Sequence, residues 1–193
     1  MPLTCYSVDG LWTLVAQRVL PLVLTGKQRQ MLIFLDTEFT DFIDCELISI
    51  GMVSEDGQHA FYAEVQDFDR AKCNPYVQSG IWPLLGGIPN AIMKRAELTE
   101  QLRTWFGGLP SNITIACDSY IDWELLVDVF DGDLPVQIVG RYDLRSLSDT
   151  AVFNQAVCQY HAPSNQPWHH ALHDAHAHRA GWLAWTDVNK EQL

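Results

Sequence analysis

At 193 residues and 48% hydrophobic composition, the chain is long and apolar enough to bury the core of one globular domain and short for two. Its 24 acidic and 12 basic residues leave a net charge of −12, which excludes a broad basic face for duplex nucleic acid; any polyanionic ligand must be gripped locally, through metal and a few cations. Five scattered cysteines (Cys5, Cys45, Cys73, Cys117 and Cys158) with no CxxC pair argue against a disulfide framework or a thiolate zinc site. Reduced thiols in a cytoplasm are expected, and no apolar stretch is long enough to cross a bilayer.

Residues 1–30 stand apart. The run 19–24 is apolar, but Asp9 lies where a leader carries positive charge, Arg18 abuts the run and no small-x-small cleavage site follows, so a signal peptide is not expected. Leu11, Leu14, Val15, Val19 and Leu22 keep helical spacing, which allows an amphipathic helix ending near Pro21. The alternative is a domain that begins at Met31, spans 31–193, and carries 1–30 as an extension.

From there the pattern turns to strands. The stretch 31–40, MLIFLDTEFT, opens with five apolar residues, the mark of a strand buried on both faces at the centre of a sheet. The stretches 46–54 and 59–65 are rich in β-branched and aromatic residues with a turn at 55–57, predicting a three-stranded antiparallel meander. Mixed signals over 67–87, with Pro75, Pro83 and Gly86-Gly87, predict short helical turns and loop. A helix follows over 91–106, with Leu98, Leu102, Trp105 and Phe106 on one stripe and Gly107-Gly108 to stop it. The remaining elements are a strand at 113–117, a helix at 121–130, a strand at 136–139, and helices at 144–160 and 171–185, with the loop 161–168 leading into the last. The predicted class is α/β: a mixed sheet, the meander plus parallel strands, flanked by helices.

Asp36 and Glu38 end the first strand and, two residues apart, project from the same side of it. Two unpaired anions there raise each other's pKa and resist burial; a divalent cation removes the difficulty. Acid-x-acid is cheap in so acidic a chain, with about three expected by chance and five present, but only this one follows a solid apolar strand. Asp122 shares a helical stripe with Leu125, Leu126, Val129 and Phe130, so it needs a partner unless it serves the helix dipole. Asp118, four residues earlier, competes with it as a ligand or a cap. The last helix carries HHALHDAHAH, in which most histidines are expected on the surface. His169 and Asp174, five apart, are about 140° apart around a continuous helix. His169 must therefore lie in the loop or first turn and fold back over the site that Asp174 faces, with Pro167 marking the helix start.

The ordered set Asp36-Thr37-Glu38, Asp118-x-x-Ile121-Asp122 and His169-x4-Asp174 resembles the DEDDh family of 3′→5′ exonucleases, which includes ribonuclease T, oligoribonuclease and the proofreading subunit of bacterial DNA polymerase III. The resemblance covers 31–185 and implies a ribonuclease H-like fold. It also implies two Mg²⁺ or Mn²⁺ ions held by Asp36, Glu38, Asp122 and Asp174, with Asp36 bridging, and His169 as the general base releasing 5′-mononucleotides from 3′ ends. Thr37 and Phe39 beside the acids, and Trp168 beside His169, become candidates for holding the terminal nucleotide. Two departures stand out. Glu38 is followed by Phe39, Thr40 and Asp41 where the family often has Thr-Thr-Gly, which is closer to small bacterial exoribonucleases and points to RNA over single-stranded DNA. Asp118 stands where Asn is common, and Ile121 where Phe is. The family often forms homodimers. Rival readings are a catalytically silent nucleic-acid-binding module of the same fold, a DNA-specific proofreading-type exonuclease, and a histidine-cluster zinc protein.

Overall fold

The structure, a computed structural model, describes residues 30–110 and 112–190. The helix or extension considered for 1–30 lies outside the described residues but for Gln30. A six-stranded sheet in the order β4-β3-β2-β1-β5-β6 organises the rest. Its strands are β1 (Met31–Phe39), β2 (Leu47–Ser54), β3 (Ala60–Val65), β4 (Ile92–Met93), β5 (Ile113–Cys117) and β6 (Ile138–Asp143). The first three form the antiparallel meander, and β4, β5 and β6 join parallel to their neighbours.

Strand parity explains why β1 is apolar on both sides. Ile33 and Leu35 face a layer made by α1 (Arg95–Gly107) and α2 (Tyr120–Val129), packing with Leu98, Leu102, Phe106, Leu125 and Leu126. Phe34 faces the opposite layer, made by α3 (Arg145–Ser148), α4 (Ala151–Tyr160) and α5 (Ala171–Val188), with Leu147, Phe153, Val157, Ala175 and Ala177. Continuing the alternation puts Asp36 and Glu38 on the α5 side and Thr37 on the α2 side. The β1–β2 register slips after Glu38, a bulge where the carboxylates emerge, and pairing resumes with Phe39 opposite Leu47.

Gly51 of β2 pairs with Asp36, and a Cβ there would come within 2.2–2.3 Å of the Ala171 carbonyl and the Leu172 nitrogen. The missing side chain is what lets the first turn of α5 rest beside Asp36.

Three elements differ from expectation. The helix placed over 91–106 begins only at Arg95, because Ile92 and Met93 are drawn into the sheet as β4 against Glu64 and Val65, and Asp67 accepts the Arg95 N–H at 2.9 Å. The strand placed at 136–139 is shifted: Val136 is 90% exposed, and the pairing runs from Ile138 through the polar Arg141, Tyr142 and Asp143 on the sheet's edge. The helix placed over 144–160 is split at Thr150, whose extended backbone opens α4. Over 67–87 the short turns Arg70–Lys72, Val77–Ile81 and Trp82–Leu84 appear as expected.

Candidate active site

Four elements converge beyond the end of β1: the strand itself, the β5–α2 junction, the first two turns of α5, and the segment carrying Tyr76. They enclose a cleft of about 420 Å³ lined by Asp36, Thr37, Glu38, Phe39, Asp118, Asp122, Trp168, His169 and Asp174, together with Phe42, Asn74, Tyr76, Val77, Ile81 and Ser119. All the site residues singled out from sequence line this one cavity.

Ligand-capable oxygens of Asp36, Glu38 and Asp174 lie within 4.8 Å of one another. The His170 N–H donates to Asp174 Oδ2 at 2.9 Å, and buried His161, whose Nδ1 faces the Gln166 carbonyl at 3.0 Å, has its Nε2 3.2 Å from Asp174 Oδ1 without a hydrogen bond. Asp122 reaches the cleft from the α2 side, where the Thr37 hydroxyl donates to its Oδ1 at 2.6 Å. Its Oδ2 has no hydrogen-bond partner although the residue is only 2% exposed. Asp118 pairs with buried His178, Nε2 to Oδ2 at 3.3 Å, and these two with Asp36 form a second group whose ligand atoms lie within 4.8 Å.

The electrostatics follow from that crowding. Burial, then the charges of Asp122, Asp174, Glu38 and Asp118, push the Asp36 carboxyl well above its ordinary range. Burial, followed by Asp174 and Asp122, raises Glu38 to about 8. Burial raises Asp122 to about 7, with Asp118 adding to it and the Thr37 hydrogen bond opposing. Burial also raises Asp174, against the pull of His161 and His178. Of the cleft acids Asp118 alone is held low: burial works against its charge, and the hydrogen bond and charge of His178 outweigh it.

Among the described residues, no lysine or arginine lines the cleft. Four carboxylates that repel one another, an orphaned buried oxygen on Asp122 and no resident cationic chain other than imidazole fit hard divalent cations.

His169 has a left-handed backbone (φ +63°), which turns its ring out of line with α5 and over the cleft, and its Nε2 lies 2.5 Å from the Tyr76 hydroxyl. The helix begins two residues later, at Ala171, as expected. Trp168 is 47% exposed and stacks on His161 with ring centroids 3.9 Å apart. Phe39 is half-buried and meets Phe42 edge-on at 5.4 Å.

The expectation of surface histidines fails. In the run 169–178, His170 and His178 are buried, His173 and His176 half-buried and His169 exposed, because α5 is enclosed by the sheet and α4 and finds aromatic partners there. Tyr62 stacks on His170, and Tyr160 meets His173 and His176. Among the described residues the two groups above are those whose three ligand atoms come together, and neither is a histidine cluster.

No protein-family model and no curated protein matches the chain. Solved structures do. S. pombe Pop2p, in a form with Mg²⁺ and Mn²⁺ bound, superposes with a TM-score of 0.61 at 15% identity, over 84% of this chain and 85% of that one. The RNase domain of yeast Pop2 gives 0.58 at 12% identity, over 82% and 77%. E. coli exonuclease I, in a zinc-bound complex with single-stranded DNA, gives 0.54 at 13% identity over 84% of this chain and 42% of that one, so the chain spans less than half its length. The fold is ribonuclease H-like.

Within this ribonuclease H-like frame, four cleft or near-cleft residues escape the sequence pattern. Phe42, 74% exposed, sits among acids outside any apolar period, and Tyr76 caps the short turn Val77–Ile81 in a stretch of mixed sequence signals. His161 reaches Asp174 from the end of α4, which no spacing in the chain announces. His178 did leave a signal: it stands four residues after Asp174, one helical turn along the same stripe.

Proposed function

We propose that the protein is a divalent-metal-dependent 3′→5′ exonuclease that removes 5′-mononucleotides from single-stranded or overhanging nucleic acid, with RNA preferred. The observation that carries this is the convergence of Asp36, Glu38, Asp122 and Asp174 on one cleft that holds a protruding imidazole and, among the described residues, no lysine or arginine. The preference for RNA rests on the resemblance of Asp36-Thr37-Glu38-Phe39 to small exoribonucleases. Homodimer formation and a cytoplasmic location belong to the same proposal.

Asp36, Glu38, Asp122 and Asp174 would hold two ions, Asp36 serving both. Bound ions supply charge, polarising the scissile phosphate and offsetting the negative charge that builds during in-line displacement. The rest falls to the chain. The Thr37 hydroxyl fixes the Asp122 carboxylate, and the His170 N–H fixes that of Asp174, so neither must reorganise when substrate arrives. A neutral His169 that donates from Nε2 to the Tyr76 oxygen keeps its lone pair on Nδ1, free to accept the proton of an attacking water. Phe39, Phe42 and Trp168 offer ring faces and edges for the terminal base.

The test is digestion of matched 5′-labelled RNA and DNA strands with Mg²⁺ or Mn²⁺. Shortening from the 3′ end with mononucleotide release is expected; Asp36→Ala should abolish it and His169→Ala slow it about 10²- to 10⁴-fold. No release from any single strand with either metal, or a His169→Ala enzyme as fast as wild type across pH, would overturn the reading.

A further inference from the structure

The two ligand groups at the cleft are unlike in chemistry. Asp36, Glu38 and Asp174 offer oxygen alone, whereas Asp36, Asp118 and His178 include an imidazole nitrogen. We infer that Asp118 and His178, with Asp36, form the seat of the second cation, and that this mixed seat takes a transition-series divalent ion in preference to Mg²⁺. The inference rests on the proposed function only in expecting two ions.

The fold builds the two seats as parallel rungs. In the β1–β5 register Phe34 pairs with Ala116, and both point toward α5. Two residues further on, Asp36 and Asp118 therefore emerge side by side on that face. Above them Asp174 and His178 are one turn apart on α5 and share a stripe. Asp174 completes the rung with Glu38, His178 completes the rung with Asp118, and Asp36 belongs to both.

Asp122, 2% exposed, lines the same cleft and carries an Oδ2 that no donor satisfies. A buried carboxylate oxygen left open is costly unless something cationic meets it. The His178 ring lies beside that of Phe153, centroids 6.4 Å apart, a contact that uses neither nitrogen. His178 is 8% exposed, its Nδ1 has no partner, and its Nε2 is aimed at Asp118. As a purely structural ion pair, the couple would gain little over apolar side chains of the same size. Imidazole among carboxylates favours transition ions, while Mg²⁺ prefers oxygen throughout.

The experiment loads the chelator-treated full chain with Mn²⁺ alone and measures binding stoichiometry together with pulsed electron paramagnetic resonance. Two ions per chain and nitrogen-14 modulation from a directly bound imidazole are expected. His178→Gln should erase the modulation and weaken the second ion by about tenfold or more, a loss seen even for outer-sphere partners. Asp118→Asn should weaken the same ion, while His169→Gln should leave the modulation intact. Mg²⁺ should displace the ion without nitrogen first. Absence of modulation, or its survival in His178→Gln with native circular dichroism, overturns the inference. Hydrolysis without the nitrogen signal removes this seat and leaves the exonuclease reading standing; the signal without hydrolysis by any metal does the reverse.

Discussion

Substituting Gly51→Ala puts a methyl group where β2 meets the first turn of α5. The added Cβ would lie 2.2 Å from the Ala171 carbonyl carbon, against the 3.4 Å at which ordinary contact begins. The obstructing atoms are backbone on both sides, so no rotamer change relieves the clash, and α5 must retreat by about 1.2 Å. Overpacking of this kind costs about 1–3 kcal/mol, which in a chain of this size lowers the melting temperature by roughly 2–12 °C. The larger effect is on the site. Asp174 and His178 ride on α5 while Asp36, Glu38 and Asp118 do not, so the retreat widens both ligand groups together. A misplacement of about 1 Å can lower the rate about 10²-fold. Calorimetry and single-strand digestion of the same preparation check both numbers. A variant that melts within about 1 °C of wild type and digests at an undiminished rate would show that α5 is not seated through Gly51.

Three further outcomes are expected. Asp122→Asn keeps an oxygen for the Thr37 hydroxyl but removes the orphaned buried charge, so in chelator at pH 8 it should melt higher than wild type while losing most of its hydrolysis; a lower melting temperature would contradict the assigned repulsion. The carboxyls of Asp36, Glu38, Asp122 and Asp174 are all raised, Glu38 from 4.5 to about 8, so the folded chain keeps protons that the unfolded chain has released. Their contribution to stability is whole below about pH 3.8 and fades as pH rises toward about 8; metal-free melting temperature should therefore fall across that range, and Mn²⁺ should raise it most at the alkaline end. A melting temperature that climbs with pH in chelator would refute this. Tyr76→Phe removes the hydrogen bond to His169 Nε2, worth about 0.5–1.5 kcal/mol, and should slow hydrolysis roughly 2- to 12-fold with little change in KM; an unchanged rate would show that Tyr76 does not orient the ring.

The central strand and its acids were legible because two strong signals coincide there. An unbroken apolar run marks a strand covered on both faces, and parity then assigns Asp36 and Glu38 to one side without further knowledge. His169 was legible by elimination, since a straight helix cannot aim it where Asp174 points. The strand β4 was hidden because Ile92 and Met93 continue the apolar content of α1, and only pairing with β3, set by tertiary contact, separates them. His178 was misjudged and His161 passed over for a related reason: histidine polarity argues for the surface, and their burial depends on Trp168, Asp174 and Asp118 arriving from elsewhere in the chain. Phe42 lies in an irregular segment, where no periodicity reports which way a ring will point.

A cleft whose described lining holds no lysine or arginine changes how a strand would be retained. Proteins that clasp phosphates with cationic side chains release condensed counterions on binding, and their affinity drops steeply as sodium or potassium chloride is added. Here the exchangeable positive charge would come from the ions themselves, so substrate retention should track the free divalent concentration and respond only shallowly to monovalent salt. Such an enzyme would let go of its polymer whenever its metal is withdrawn, and the surrounding metal supply would then act as its throttle.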